Sequence, residues 1–342
     1  MTERLKIGLM GFGHIGRQIY QLALDSDQFE IVVISDIGHP EILGHLLNKT
    51  LGDHQVSLKK NHLICGHHRT RLMTADRPTE IPWDVFGADM VIDATGKFRS
   101  SEELKPHLHN GARRVILSTL PVGEIDRVVL RGVNDQDALA SDVIVSAGSA
   151  STTATALALK IIGDAYPIAH ATMTSVHAYT SDQSLQDYAG ADYRRSRSGA
   201  ENIIPNLTPA LDWVQRIMPN IRGRMTGYAL NVPVQTGSML DITVSLESPT
   251  TDISAITDLF VEAAIDMPLL IETTSDPIVS SDVKGSTQSL LVDLQGCMLA
   301  GKNMFKLLAW HETLGHAKRI LETATLYRDL ETTHAGSTRE VS

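Results

Sequence analysis

The sequence predicts an α/β chain in two parts, a doubly wound parallel sheet followed by an α+β domain with a mostly antiparallel sheet. Three observations carry this prediction. Up to about residue 150, short apolar runs closed by small or polar residues recur between helical periods. Beyond that point, apolar and polar residues alternate over longer stretches, as in half-buried strands. And 342 residues, 42% of them apolar, are more than one hydrophobic core usually takes.

In order, residues 5–10 read as a buried strand, 11–16 as a tight turn, 15–24 as an amphipathic helix and 29–35 as a second strand. Apolar runs at 89–94, 114–118 and 142–146 continue the parallel pattern. Helices are expected over 151–165 and 252–264, covering strands at 171–177, 224–231, 239–246 and 304–310. Residues 315–328 read as a strongly periodic terminal helix. The last stretch, from 331 onward, has little apolar content and reads as a frayed tail.

Charge and cysteine content exclude several function classes. The net charge is -10 and only Arg194-Arg195-Ser196-Arg197 is locally basic, so a general nucleic-acid or membrane-surface partner is not expected. The two cysteines, Cys65 and Cys297, lie far apart and lack CxxC or Cys/His spacing, which points to a reducing compartment without a disulfide framework or metal site. The chain opens on a strand-like run, and no apolar stretch reaches the roughly 18 residues of a membrane span. A cytoplasmic location is the expectation.

Gly11-Phe12-Gly13-His14-Ile15-Gly16 fits GxGxxG directly after a strand and at the opening of a helix. Such a turn lets the backbone approach a pyrophosphate at the helix N-terminus. Asp36 ends the next apolar strand, about 20 residues beyond the last glycine, where a carboxylate binds both ribose hydroxyls and repels a 2'-phosphate. A turn with incidental glycines beside a solvated aspartate would explain each part singly, but not the combination. The first part is therefore read as Rossmann-type, with NAD as the cofactor.

Further motifs follow along nearly the whole chain: Arg17 after the glycine turn, Ala94-Thr95-Gly96-Lys97-Phe98, Gly132-Val133-Asn134, Asn202-Ile203-Ile204-Pro205, Leu246-Glu247, Val279-Ser280-Ser281-Asp282 and Lys306-Leu307-Leu308-Ala309-Trp310. To these add the run from Ile144 to Ala154 and His177-Ala178-Tyr179-Thr180. Taken in this order, they resemble the glyceraldehyde-3-phosphate dehydrogenase family. The resemblance implies an NAD-binding Rossmann domain over 1–149 and about 316–334, a catalytic domain over 150–315, a tail over 335–342, and a homotetramer. It implies that Thr95, Gly96 and Ser118 line the nicotinamide half of the cofactor site.

In that family a cysteine thiolate attacks the aldehyde, a histidine handles protons and stabilises the oxyanion, hydride leaves to NAD, and inorganic phosphate cleaves the thioester. His177 stands at the histidine position. Ala150 stands at the cysteine position, in a register that keeps the run from Ile144 to Lys160 and the interval to His177 without a gap. A methyl group cannot attack a carbonyl. A competing register places Ser151 there, at the cost of an insertion and a compensating deletion, and an unactivated hydroxyl is a far weaker nucleophile.

The substrate contacts are also only partly kept. The family's aldehyde is phosphorylated or otherwise anionic. Ser149, Thr180, Arg197 and Thr208 match residues that contact substrate or inorganic phosphate, with Ser151 and Thr152 beside them. Asn231, however, replaces an arginine, Ala191 a lysine and Pro209 a glycine. Losing one charge-assisted hydrogen bond costs about 1.5–3 kcal/mol of phosphate affinity, so an altered substrate preference is expected. Arg194 and Arg195 are candidate replacement charges, or equally a solvated or subunit-contacting loop. After Trp310 the segment His311-Glu312-Thr313-Leu314-Gly315 is one residue short, and the family's carboxamide-holding asparagine has no counterpart. His14 replaces an arginine beside the pyrophosphate.

Three explanations of Ala150 stand at this point. One is that the chain is an aldehyde dehydrogenase of the family in deliberate cysteine-to-alanine form, holding substrate or cofactor without turnover. Alternatively it is a carbonyl/alcohol oxidoreductase that uses His177 without covalent catalysis, or a non-catalytic NAD-binding interaction protein.

Overall fold

A computed structural model describes residues 4–52, 54–180, 183–249 and 252–339, with side chains of the last helix described to 333. The chain divides into two compact units, Met1–Gly148 with Ala317–Ser342, and Ser149–His316.

The first unit runs β1 (Leu5–Met10), α1 (His14–Leu24), β2 (Phe29–Ser35), α2 (Pro40–Asn48), β3 (Ser57–Lys59), β4 (His62–Cys65), β5 (His68–Met73), β6 (Met90–Asp93), α3 (Ser101–His109), β7 (Arg114–Leu117), β8 (Arg127–Val128) and β9 (Ile144–Ser146). Among the described residues these strands form one sheet in the order β3-β4-β5-β2-β1-β6-β7-β9-β8. It is parallel from β5 through β8, and the β3–β4–β5 edge is antiparallel. The central strands β6, β7 and β9 are buried at every position, as a sheet covered on both faces requires. The parallel core is as expected. The β3–β4 hairpin was not legible, because Ser57–Lys59 is short and polar. Helix α3 was hidden by Pro106 in its interior, yet it forms from a capping box between Ser100 and Glu103.

The second unit contains α4 (Ala150–Ala165), β10 (Ile168–Ala178), β11 (Ile204–Asn206), α5 (Ala210–Ile217), β12 (Met225–Val232), β13 (Ser238–Leu246), α6 (Ser254–Asp266), β14 (Ile271–Thr274), β15 (Leu290–Asp293), β16 (Met298–Ala300) and β17 (Met304–His311). Its sheet follows the order β11-β12-β10-β13-β17-β15-β14, with β16 on β17. All pairings are antiparallel except β10 with β12 and β14 with β15, so the mostly antiparallel expectation holds.

The terminal helix α7 (Thr313–Arg339) continues well past Arg328, where the sequence had suggested fraying from 331 onward. Ala317, Ile320, Leu321, Ala324 and Tyr327 enter the core of the first unit beside Ile7, Leu9 and Ile116, and Leu330 packs at its border. A buried cation holds the next turn. Arg114 is 2% exposed, stacks 4.4 Å from the Tyr327 ring centroid and donates to the carbonyls of Asp142 and Ala140 at 2.7 and 2.8 Å. It also pairs with the Glu331 carboxylate. Glu331→Ala leaves that guanidinium short of its counter-charge, and denaturant titration should show a loss of about 1–3 kcal/mol.

Candidate active site and nucleotide cradle

The first unit builds its cradle from the glycines. Gly11 has φ +90°, and a Cβ there would sit 2.6 Å from the Thr95 nitrogen. A Cβ on Gly16 would lie 2.2 Å from the Gly11 carbonyl oxygen, so the turn closes tightly onto α1. At Gly13, the N-cap, a Cβ would meet nothing, and the cap residue itself offers no side chain to the first-turn amides. An open approach onto a helix N-terminus suits a pyrophosphate. Asp36 accepts from the Phe12 N–H at 2.6 Å through Oδ2 and from the Gly38 N–H at 2.7 Å through Oδ1. Each oxygen keeps a lone pair for a ribose hydroxyl. A cavity of about 300 Å³ is lined by Gly11, Gly13, Asp36, Asp76, Thr95 and Lys97, among others. These residues fit NAD.

The wall carrying Thr95 is set by a buried hydrogen-bonded chain. Asp93, His107 and Trp83 are all 0% exposed. The Trp83 indole, which can only donate, reaches His107 Nδ1 at 3.1 Å. Nδ1 is therefore the acceptor, and His107 is neutral with its proton on Nε2, 3.1 Å from Asp93 Oδ2. The other carboxylate oxygen accepts from the Thr95 N–H at 2.9 Å and its hydroxyl at 2.6 Å. The Asp93 carbonyl accepts from the Ser118 N–H at 3.0 Å. Thr95 is thus tied to the buried Asp93 carboxylate, and Ser118 to the backbone carbonyl of the same residue. Gly96 follows with φ +66°. His14 opens α1 exposed, while Phe12 is fully buried and Ile15 half-buried.

In the second unit, Ser149 caps α4, its hydroxyl accepting from the Thr152 N–H at 3.3 Å and lying 2.6 Å from the Thr152 hydroxyl. Ala150 is therefore the first helical residue, a place where a helix N-terminus would lower a thiol pKa had there been one. Ser151 points back toward Ser149 at 3.4 Å and is 7% exposed. Cys297, the cysteine of this unit, is buried, and burial pushes its thiol up to about 11, so it offers no thiolate. Burial lowers the His177 pKa, which favours a neutral imidazole, and Nε2 lies 2.9 Å from the Ser175 hydroxyl. The His311 ring packs edge-on to it, centroids 5.5 Å apart. His311 is 3% exposed; burial first, then His177 and His316, hold its pKa well below the usual value.

Parallel register places Asn231 directly beside His177. Asn231 accepts from Asn206 Nδ2 and donates to Gln183 Oε1 at 2.8 Å; that oxygen also takes the Thr180 N–H at 3.1 Å. The structure thus joins Thr180, Asn231 and His177. It does not join Arg197 to them: Arg197 Nε lies 2.9 Å from Asp187, whose carboxyl is held low by the Ser198 N–H and then by Arg197. Thr208 accepts from the Ala210 N–H at 3.2 Å at the start of α5. Sequence reasoning missed Ser175, Gln183, Asn206, His311 and the Asp93 chain. Only Ser175 had a usable signal, since residues two apart on a strand share a face. Among the described residues, no group of three or more His, Cys, Asp or Glu could hold a metal ion, and no helix is long and apolar enough to cross a membrane.

Comparison with known proteins agrees with this geometry. Residues 5–101 match the model of the glyceraldehyde 3-phosphate dehydrogenase NAD binding domain, and 149–313 that of the C-terminal domain. The chain is 31% identical over 327 residues to glyceraldehyde-3-phosphate dehydrogenase 1 of Bacillus cereus, covering 93% of this chain and 97% of the relative. It is 34% identical over 332 residues to the Borreliella burgdorferi glyceraldehyde-3-phosphate dehydrogenase (94% and 98%). The Haloarcula vallismortis protein of that name is 33% identical over 338 residues (95% and 98%).

Two measurements check the site. His107→Leu leaves the Asp93 carboxylate buried without its imidazole; denaturant titration should show a loss of about 3 kcal/mol. Fluorescence titration should show weaker NAD binding, and unchanged affinity would mean that Thr95 is set by other contacts. The second measurement is acid stability. Both His177 and His311 have folded pKa values below the ordinary 6.5, so below that pH the unfolded chain binds more protons. Their contribution is complete above pH 6.5 and is lost as pH falls toward the folded values, by up to about 1.4 kcal/mol per pH unit for each imidazole. His311→Phe should flatten the slope of unfolding free energy between pH 6.5 and 5.

Proposed function

This chain belongs to the glyceraldehyde-3-phosphate dehydrogenase family, and from that premise we propose that it is an NAD-dependent oxidoreductase acting on an aldehyde, with the thioester step closed at Ala150. The observation that carries this reading is the pairing of a kept base with a missing nucleophile. His177 is half-buried with its pKa lowered by desolvation, which favours the neutral imidazole, and the first turn of α4 presents a methyl group. NAD, when bound, supplies or takes the hydride. Ser149 and the α4 N-terminus stand where they would favour negative charge developing on a carbonyl oxygen. In the thioester route His177 would take the proton of the attacking thiol; with a methyl group at Ala150 no thiohemiacetal forms, so no hydride leaves the aldehyde carbon of the chain as it stands. The same reading carries a small-molecule carbonyl partner, with inorganic phosphate as the family's co-substrate, and a cytoplasmic homotetramer.

The His177–Ser175 contact favours a second chemistry for the chain as it stands, the interconversion of an alcohol and a carbonyl. A neutral imidazole removes the hydroxyl proton while the carbon gives its hydride to NAD, and the reverse reaction returns both. No covalent intermediate is involved.

Ala150→Cys separates the two chemistries. The new thiol would sit at a helix N-terminus, an environment that favours the thiolate. NADH formation should then appear with an aldehyde and disappear on alkylation of the thiol. If the variant yields no NADH across a panel of plain and phosphorylated aldehydes, the aldehyde reading fails.

A further inference from the structure

The amide cluster beside His177 has a fixed hydrogen-bond polarity, and that polarity says what it can recognise. The Thr180 backbone N–H can only donate, so the Gln183 side-chain atom 3.1 Å away is the carbonyl oxygen. That oxygen accepts a second bond, from Asn231 at 2.8 Å, so the Asn231 atom is the amide nitrogen. Asn231 therefore presents its own oxygen to Asn206 Nδ2, which also reaches the Ile204 carbonyl at 3.2 Å. One backbone amide thus orients three side chains from three segments. Gln183 Oε1 has taken two donors, and the amide group left over is Gln183 Nε2. Gln183 is 6% exposed, and among the described residues its Nε2 has no hydrogen-bond partner. A buried donor left without an acceptor costs free energy, which a ligand oxygen would recover.

The cluster is neutral. Of the arginines in the neighbouring segment, Arg197 is paired with Asp187, and Arg194 places a guanidinium nitrogen 3.5 Å from the Pro205 carbonyl. A phosphate group carries up to two charges and is stabilised by cationic, charge-assisted bonds. Bonded to the amides alone, it would lose its hydration without a counter-charge. A hydroxyl or carbonyl oxygen has no such penalty and needs a single donor. Resting on the carbonyl chemistry proposed above, we propose that the substrate group read beside His177 is a neutral oxygen, a hydroxyl or carbonyl of a polyhydroxy compound, and that Gln183 Nε2 is its donor. Gln183 and Asn231 are then the specificity residues of this site, and they select against phosphate esters.

The test uses the full-length chain saturated with NAD and reads binding by saturation-transfer NMR, with glyceraldehyde and inorganic phosphate as separate probes. Glyceraldehyde should bind and phosphate should not. Gln183→Glu keeps an acceptor for Thr180 and Asn231 but removes the donor, so glyceraldehyde binding should weaken roughly tenfold. Asn231→Arg should confer phosphate binding. If it does not fold, as circular dichroism would show, the glutamate variant decides alone. Phosphate binding to the unaltered chain as tight as that of glyceraldehyde overturns the proposal, as does glyceraldehyde binding unmoved by Gln183→Glu. These readouts need no turnover, so an inactive Ala150→Cys variant would sink the aldehyde reading while leaving them to decide on the neutral oxygen.

Discussion

Much of the first unit's nucleotide cradle hangs on the Asp93 carboxylate. It is fully buried at the C-terminal end of β6, beside the central strand of a parallel sheet, where ligands of doubly wound folds sit. An isolated charge there would be prohibitively costly. It persists because His107 covers one oxygen and the Thr95 amide and hydroxyl cover the other. The imidazole is itself fixed by an indole that can only donate. The imidazole tautomer and the loop position are therefore set together, and the cavity wall at Thr95 is held by residues of the protein itself.

The second unit follows the opposite strategy. Its reactive region is kept neutral by burial instead of being charged by pairing. His177 and His311 are both pushed toward the uncharged imidazole, and the residues joined to Asn231 are amides. A neutral base surrounded by neutral donors suits proton removal from a hydroxyl at neutral pH. It does not suit the binding of a dianion. The methyl group of Ala150, at the start of α4, likewise carries no charge. The changes at 150 and 231 are thus physically consistent with one another.

The nucleotide half was legible because its signals are local. GxGxxG demands particular backbone angles, and Asp36 follows at a distance set by one helix and one strand. The reading of Ala150 at the nucleophile position likewise rests on one segment. The amide cluster was not legible, since Asn206 and Asn231 meet only through the pairing of β11 with β12, and Gln183 reaches them from the segment that follows β10. The same holds for Trp83, His107 and Asp93. The helix was not expected to run through Glu331, because that turn is held by a distant buried arginine that local periodicity does not reveal.

The central claim is that this family scaffold retains hydride and proton chemistry but forms no covalent acyl intermediate. Intact-mass measurement of the unaltered chain, incubated with NAD and glyceraldehyde and quenched in acid, tests it directly. The account predicts the mass of the unmodified chain, because Ala150 offers no nucleophile and the Ser151 hydroxyl is buried and turned to Ser149. An acyl adduct mapping to the peptide that contains Ser151 would contradict it and would move the nucleophile one residue along the helix.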